Sequence, residues 1–171
     1  MNPETAKTAA DFLLADLEYE IQTTARILAA VPGTQLDYRP DPLSKTALAL
    51  VRHIVLEDEF LLNCIADGAF PSFPDDTDAC GIMSPADGVA RYQEKMPAAI
   101  ARVRALSGQQ LSAILDLMGM IQMPAVNFLS LALKHSVHHR GQLSTYLRPM
   151  GGKVPGIYGP SADTQADAAT A

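Results

Sequence analysis

His135-Ser136-Val137-His138-His139-Arg140-Gly141-Gln142 lies in the apolar segment Ala125–Leu147, and its reading decides the fold. The chain has four histidines: three in this run, and His53 about eighty residues upstream. His135 and His139 are four apart, so on a helix they stand about 40° apart around the axis and one turn apart along it. Phe128, Leu131, Ala132, Gln142 and Tyr146 share that largely apolar side, which must face inward. His138 sits about 60° away on the flank, and Arg140 points away from the pair. A helix that turns two imidazoles inward needs a second helix facing it.

That second helix is predicted around His53. Ser44 is a suitable N-cap, and Ala47, Leu50, Ile54, Leu61 and Ile65 repeat at helical spacing up to about Ala66, where Gly68 and Pro71 end the pattern. Thr46, Leu50, Glu57, Phe60 and Cys64 lie on the side of His53. Two further helices complete the set. Leu13, Leu17, Ile21, Thr24 and Leu28 give a stripe over about Thr5–Ala30, stopped by Pro32-Gly33. Ser84-Pro85-Ala86-Asp87 reads as N-cap, proline at the first position and an acid in the first turn of a helix to about Leu106. Pro97 predicts a kink or break in it near Glu94.

Between these helices, residues 34–43 contain Pro40 and Pro42, and residues 71–83 are rich in Pro, Asp, Ser and Gly, so both read as loops. Residues 109–123 read as a short extended or irregular connection. Pro124 opens the last long helix, Ala125–Leu147, and Pro149 with Gly151-Gly152 stops it. The expectation is an all-α four-helix bundle with long loops and a short irregular C-terminal tail: one domain over 1–160, then a flexible segment over 161–171.

Composition narrows the function. The net charge is −6 and the arginines are scattered, so nucleic acid is not an expected partner. Two cysteines, Cys64 and Cys80, are too few for a disulfide scaffold and too far apart for a CxxC site. The first twenty residues are acidic, without a basic segment followed by an apolar one, and no apolar run reaches the roughly 18 residues of a membrane span. A cytoplasmic protein is expected.

Neutral imidazole is a common ligand of Zn, Ni, Cu and Fe. Facing helices of a bundle can place His53, His135 and His139 around one ion, leaving a position for water or substrate. The alternative is that the histidines make only internal hydrogen bonds. Position 136 is serine, so the H-E-x-x-H protease signature is absent.

Several segments then carry a resemblance: His-x3-His-Arg-Gly-Gln late in the last helix, Leu147-Arg148-Pro149-Met150-Gly151-Gly152 with Val154-Pro155, Leu36-Asp37-Tyr38-Arg39-Pro40, and Ser44 to His53-Ile54. Over about residues 8–160 the chain resembles the DinB-like family of four-helix proteins. The resemblance implies an up-down-down-up bundle with a three-histidine site for Ni or Zn, in which His53, His135 and His139 match the ligand positions. It also implies a homodimer. Members of the wider superfamily include thiol-dependent S-transferases and a thiol-dependent isomerase, so a low-molecular-weight thiol is a candidate partner.

Glu57, one turn from His53, is a candidate acceptor for a ligand histidine or a general base, or an exposed acid beside Asp58 and Glu59. Tyr146 is a candidate hydroxyl on the histidine face. Gln142 can bond a ligand or bridge helices. Arg140 suits a structural role, holding the C-terminal segment or Asp37, and Gly141 suits close helix packing. Tyr158 suits a packing anchor. Met118, Met120 and Met123 read as core or pocket lining. The functional expectation is a metal-dependent enzyme, an S-transferase or a hydrolase, acting on an unknown small molecule. The alternative is a non-enzymatic metal-binding or stress-response protein.

Overall fold

The computed structural model describes residues 1–170, without the side chains of 167–170; Ala171 lies outside the described residues. Four long helices, α1 (Pro3–Ala29), α2 (Ala47–Asp67), α3 (Pro85–Arg104) and α5 (Ala125–Leu147), make the bundle. A short α4 (Gly108–Ser112) and a hairpin of β1 (Ile114–Leu117) and β2 (Ile121–Pro124) join α3 to α5, and α6 (Ala162–Thr170) ends the chain.

Capping explains where most helices start. The side chains of Asn2, Thr46, Ser84 and Ser107 each accept a backbone N–H of the first turn of α1, α2, α3 and α4, satisfying one of the donors a helix leaves open there. Gly68, at φ 73°, closes α2 in the left-handed conformation that glycine adopts without penalty.

The direction of each helix follows from its contacts. Lys7 donates to the Arg104 carbonyl, while Ala29 and Val31 border Pro85 and Val89, so α1 and α3 are antiparallel. Gly88 lies against Val51, and Arg102 bonds Asp67, so α2 and α3 run parallel. Tyr146 reaches the Lys45 carbonyl and His135 reaches Asp58, so α5 opposes α2. Ala9 and Leu13 border Val126 and Leu131, while Gly152, just beyond α5, abuts Pro32, just beyond α1. Helices α1 and α5 are therefore parallel, and the order is up-down-down-up. A parallel α2–α3 pair needs a connection running back along about 30 Å of helix; residues 68–84, with a 3-10 turn at Asp78–Cys80, supply it. Leu14, Leu28, Leu50, Ile54, Leu62 and Phe128 are among the fully buried side chains at the centre. Among the described residues, no helix is long and apolar enough to cross a membrane.

The structure departs from the sequence reading in five places. Helix α2 is capped by Thr46 rather than Ser44, because the Ala47 amide is drawn onto the Tyr38 carbonyl at 2.8 Å and holds the preceding segment out of the helix. Helix α3 runs through Pro97 without a break; the ring is exposed, on a side where water can meet the freed carbonyl. Residues 109–123 are extended, as expected, over β1 and β2, a regular hairpin whose turn places Met118 and Gly119 at φ 50° and 75°, but they begin with most of the helix α4. Gly141 permits no close approach, since a Cβ there meets open space. The C-terminal segment is irregular over 153–160 but then forms α6, where Asp163 accepts from Val154 N at 2.8 Å and Arg148 Nε at 3.0 Å.

Packing demands glycine most strongly at Gly108. A Cβ there would lie 2.2 Å from the Pro3 carbonyl oxygen. Gly108→Ala should destabilise the fold by about 1–3 kcal/mol, because backbone must move to relieve the overlap. Thermal unfolding against wild type would read this; an unchanged midpoint would mean that the N-terminus of α1 is not held there.

Candidate metal centre

Helix α2 presents His53, and α5 presents His135 and His139 one turn apart. His53 Nε2 lies 3.1 Å from His139 Nε2 and 3.3 Å from His135 Nε2. Three side chains converge through the same ring nitrogen, and all three are partly buried.

The outer nitrogens decide how these contacts are read. His135 Nδ1 faces the Asp58 carboxylate at 3.2 Å, and His139 Nδ1 faces Gln142 Oε1 at 3.0 Å. Both partner oxygens accept, so both Nδ1 atoms carry protons, and in the neutral form each ring turns an Nε2 lone pair inward. His53 Nε2 has at most one proton to offer, so the two contacts cannot both be hydrogen bonds. A cation between the rings removes that conflict. With ligand bonds of about 2.0–2.1 Å, nitrogens 3.1–3.3 Å apart subtend roughly 100° at an ion, between the octahedral and tetrahedral angles. The residues present thus fit a divalent transition metal.

Electrostatics point the same way. Burial, then the fields of His139, His135 and Lys45, push the His53 pKa from 6.5 down to about 4. Burial also lowers His139. Both shifts favour neutral imidazole, the form that binds metals.

Behind the histidines runs a buried polar chain. Asp58, 2 % exposed, accepts from the Tyr92 hydroxyl at 2.9 Å on its second oxygen. Burial, foremost, and the Asp58 charge raise the Tyr92 pKa, so the phenol remains a donor. Ser136 and Thr24 adjoin it, with hydroxyls 3.5 Å apart, and Thr24 accepts from Arg140 at 3.1 Å. The buried Arg140 guanidinium pairs with Glu20 and bonds the hydroxyl of Tyr158. Among the described residues no buried side-chain N or O lacks a partner, so the chain meets the condition under which interior polar groups are tolerated.

In front, toward solvent, stand Glu57, His138 and the pair Lys45–Asp76. Burial pushes the Glu57 carboxyl up. The exposed His138 ring lies edge-on to His139, centroids 4.7 Å apart. Farther along α2, Phe60 packs on Phe70 and on the half-exposed Phe73.

The structure thus brings together the three histidines expected as ligands and places Glu57 beside them. It sets Tyr146 one step back: its hydroxyl accepts from Gln142 at 3.4 Å and donates to the Lys45 carbonyl at 3.2 Å, so it reaches His139 through Gln142. Arg140 holds the C-terminal segment through Tyr158, and its acidic partner is Glu20 rather than Asp37. The sequence reading missed Asp58, taken as a neighbour in an exposed acidic run. A signal was present: Ile54, Val55, Leu61 and Leu62, the residues three and four away on both sides, are all apolar and buried.

Two expected results follow from this geometry. Asp58→Asn should weaken metal binding by about 10- to 100-fold, because His135 loses the carboxylate that fixes its tautomer; competition with a chromophoric chelator would measure it, and unchanged affinity would mean Asp58 does not act on the centre. Metal-stripped protein should lose stability as pH falls from 6.5 toward about 4. In that window unfolded His53 binds a proton and the folded residue does not, so stability rises with pH and is lost on acidification. Melting in chelator should show this slope, shallower in His53→Gln; a slope unaltered by the substitution would place the acid sensitivity elsewhere.

Comparison with known proteins agrees with the geometry. A model of the DinB superfamily matches residues 16–143. YjoA of Bacillus subtilis is 29% identical over 131 residues, covering 75% of this chain and 82% of YjoA. YrdA of the same organism is 45% identical over 42 residues, a quarter of each chain. A DinB-like protein of Bacillus cereus shares the fold at a TM-score of 0.71 with 25% identity, covering 85% of this chain and 95% of the other. YfiT of B. subtilis, described as a probable metal-dependent hydrolase with an unusual four-helix bundle topology, aligns at 0.68 with 19% identity, covering 84% and 89%.

Proposed function

The chain belongs to the DinB superfamily, and from that premise we propose that it is a metal-dependent hydrolase of a small molecule, with His53, His135 and His139 holding zinc or nickel. The observation that carries this is the meeting of three Nε2 atoms, with the outer nitrogens of His135 and His139 committed to Asp58 and Gln142. Three protein ligands leave coordination positions open, as catalytic sites do. The description of YfiT as a probable hydrolase supports the reaction class.

A divalent ion there would supply Lewis acidity, making water acidic enough to attack near neutral pH. Asp58 and Gln142 hold the rings of His135 and His139 in the productive tautomer. Glu57 stands one turn from His53, and its raised pKa suits it to accept the proton of the attacking water and return it to the leaving group. Phe60 and Phe73 offer an apolar wall to the rest of the substrate.

Metal analysis on protein made without a histidine tag tests the reading. Near one equivalent of zinc or nickel, together with turnover of an ester, amide or thioester panel that Glu57→Gln suppresses without metal loss, is the expected result. Less than about a tenth of an equivalent, unchanged on soaking, would overturn the metal site. Turnover that requires an added thiol would reassign the reaction to group transfer. A loaded protein inert on every substrate would point to a binding protein.

A further inference from the structure

Lys45 stands at the mouth of the metal centre on a fixed base. Its backbone carbonyl accepts from the Tyr146 hydroxyl at 3.2 Å, and Tyr146 in turn leads through Gln142 to His139. The neighbouring residue Thr46 caps α2, and the Ala47 amide is bound to Tyr38. The side chain, by contrast, is 41% exposed, and its ammonium meets a single acid, Asp76, also 41% exposed, at 3.0 Å. The fields of both groups are felt at His53 and at Glu57. Asp76 comes from the crossover between α2 and α3, which is held by other residues: Arg52 ties it to α2 through Ile82 O and Asp78, and Arg91 ties it to α3 through Cys80 O.

We infer that Lys45 is the residue that recognises the substrate, and that the substrate is a small molecule bearing a carboxylate, which takes the place of Asp76 on the ammonium when the reacting group reaches the histidine centre. The inference rests on the metal centre proposed above and adds the class of molecule it serves. An exposed ion pair contributes little to stability, so exchanging one carboxylate for another costs little, and the anchored backbone keeps the ammonium within reach. Asp76 also acts against other ligands: a neutral molecule cannot displace it and gains nothing from Lys45. A purely structural Lys45–Asp76 bridge would tie down a loop already held by Arg52 and Arg91.

The test uses cobalt-loaded protein and two probes, 3-mercaptopropionate and 3-mercaptopropionamide. They present the same thiol as a soft handle on the ion and differ only in the charge at the far end. Thiolate-to-cobalt absorption reads binding. Wild type should favour the carboxylate probe by about two- to fivefold, the reach of a partly exposed charge pair. Lys45→Met should abolish the preference, Lys45→Arg should keep it, and Asp76→Asn should increase it. Equal binding of the two probes by wild type, a preference that survives Lys45→Met, or cobalt uptake with no thiol band from either probe would overturn the role of Lys45 while leaving the metal site in place. Failure to take up cobalt would overturn the metal site and this inference with it.

Discussion

His53→Ala is expected to cut zinc or nickel affinity by about a hundredfold or more, while His138→Ala leaves it within about twofold. Structural zinc held by four side chains is bound with roughly 10–16 kcal/mol, so one ligand carries about 3 kcal/mol, equivalent to a factor above one hundred. His53 is the sole contribution of α2 to the cluster, and its Nε2 faces both partners, at 3.1 and 3.3 Å. His138 is exposed and touches the centre only through the edge of the His139 ring. Isothermal titration against a competing chelator separates the two variants. Equal losses in both would refute the division of the histidine run into inward and flanking rings.

Arg140→Met is expected to destabilise the fold by about 3–5 kcal/mol, the usual consequence of leaving one member of a buried ion pair behind. Glu20 is 8% exposed and Arg140 1%, so neither charge can turn to water. The loss would appear as a fall of about 10 °C in the unfolding midpoint of a domain this size. Joining Glu20→Gln to Arg140→Met should recover much of it, because no unpaired buried charge then remains. A single variant within about 1 kcal/mol of wild type would mean that the pair is not closed in solution.

Much of this was legible in the chain. The bounds of α5 follow from Pro124 on one side and Pro149 with the glycine pair on the other, and helical spacing alone turns His135 and His139 toward one side and His138 to the flank. What escaped was set by partners far away in sequence. Asp58 sits in a Glu-Asp-Glu run that looks solvated, and the packing of α3 and α5, which bring Tyr92 and His135 to it, shows why an acid can stand there. The hairpin lacks the Asn-Gly or Asp-Gly pair that usually marks such a turn; Met118-Gly119 does the work, helped by Asp116, which accepts the Gly119 amide at 2.7 Å. Pro97 predicts a kink or a break, and the break does not occur, because its ring is exposed and the carbonyl it frees can meet water. Arg140 was rightly turned away from the histidines, but the direction away from them is the core, not the solvent.

The ligand helices are antiparallel neighbours in space, yet His53 and His135 are far apart along the chain. An ion shared between them closes a loop of about eighty residues. A covalent bridge spanning such a loop would remove enough freedom from the unfolded chain to stabilise the fold by about 4–5 kcal/mol. An ion held there would act as a bridge that opens and closes with its supply, so the stability of the folded chain would become a function of the free metal around it.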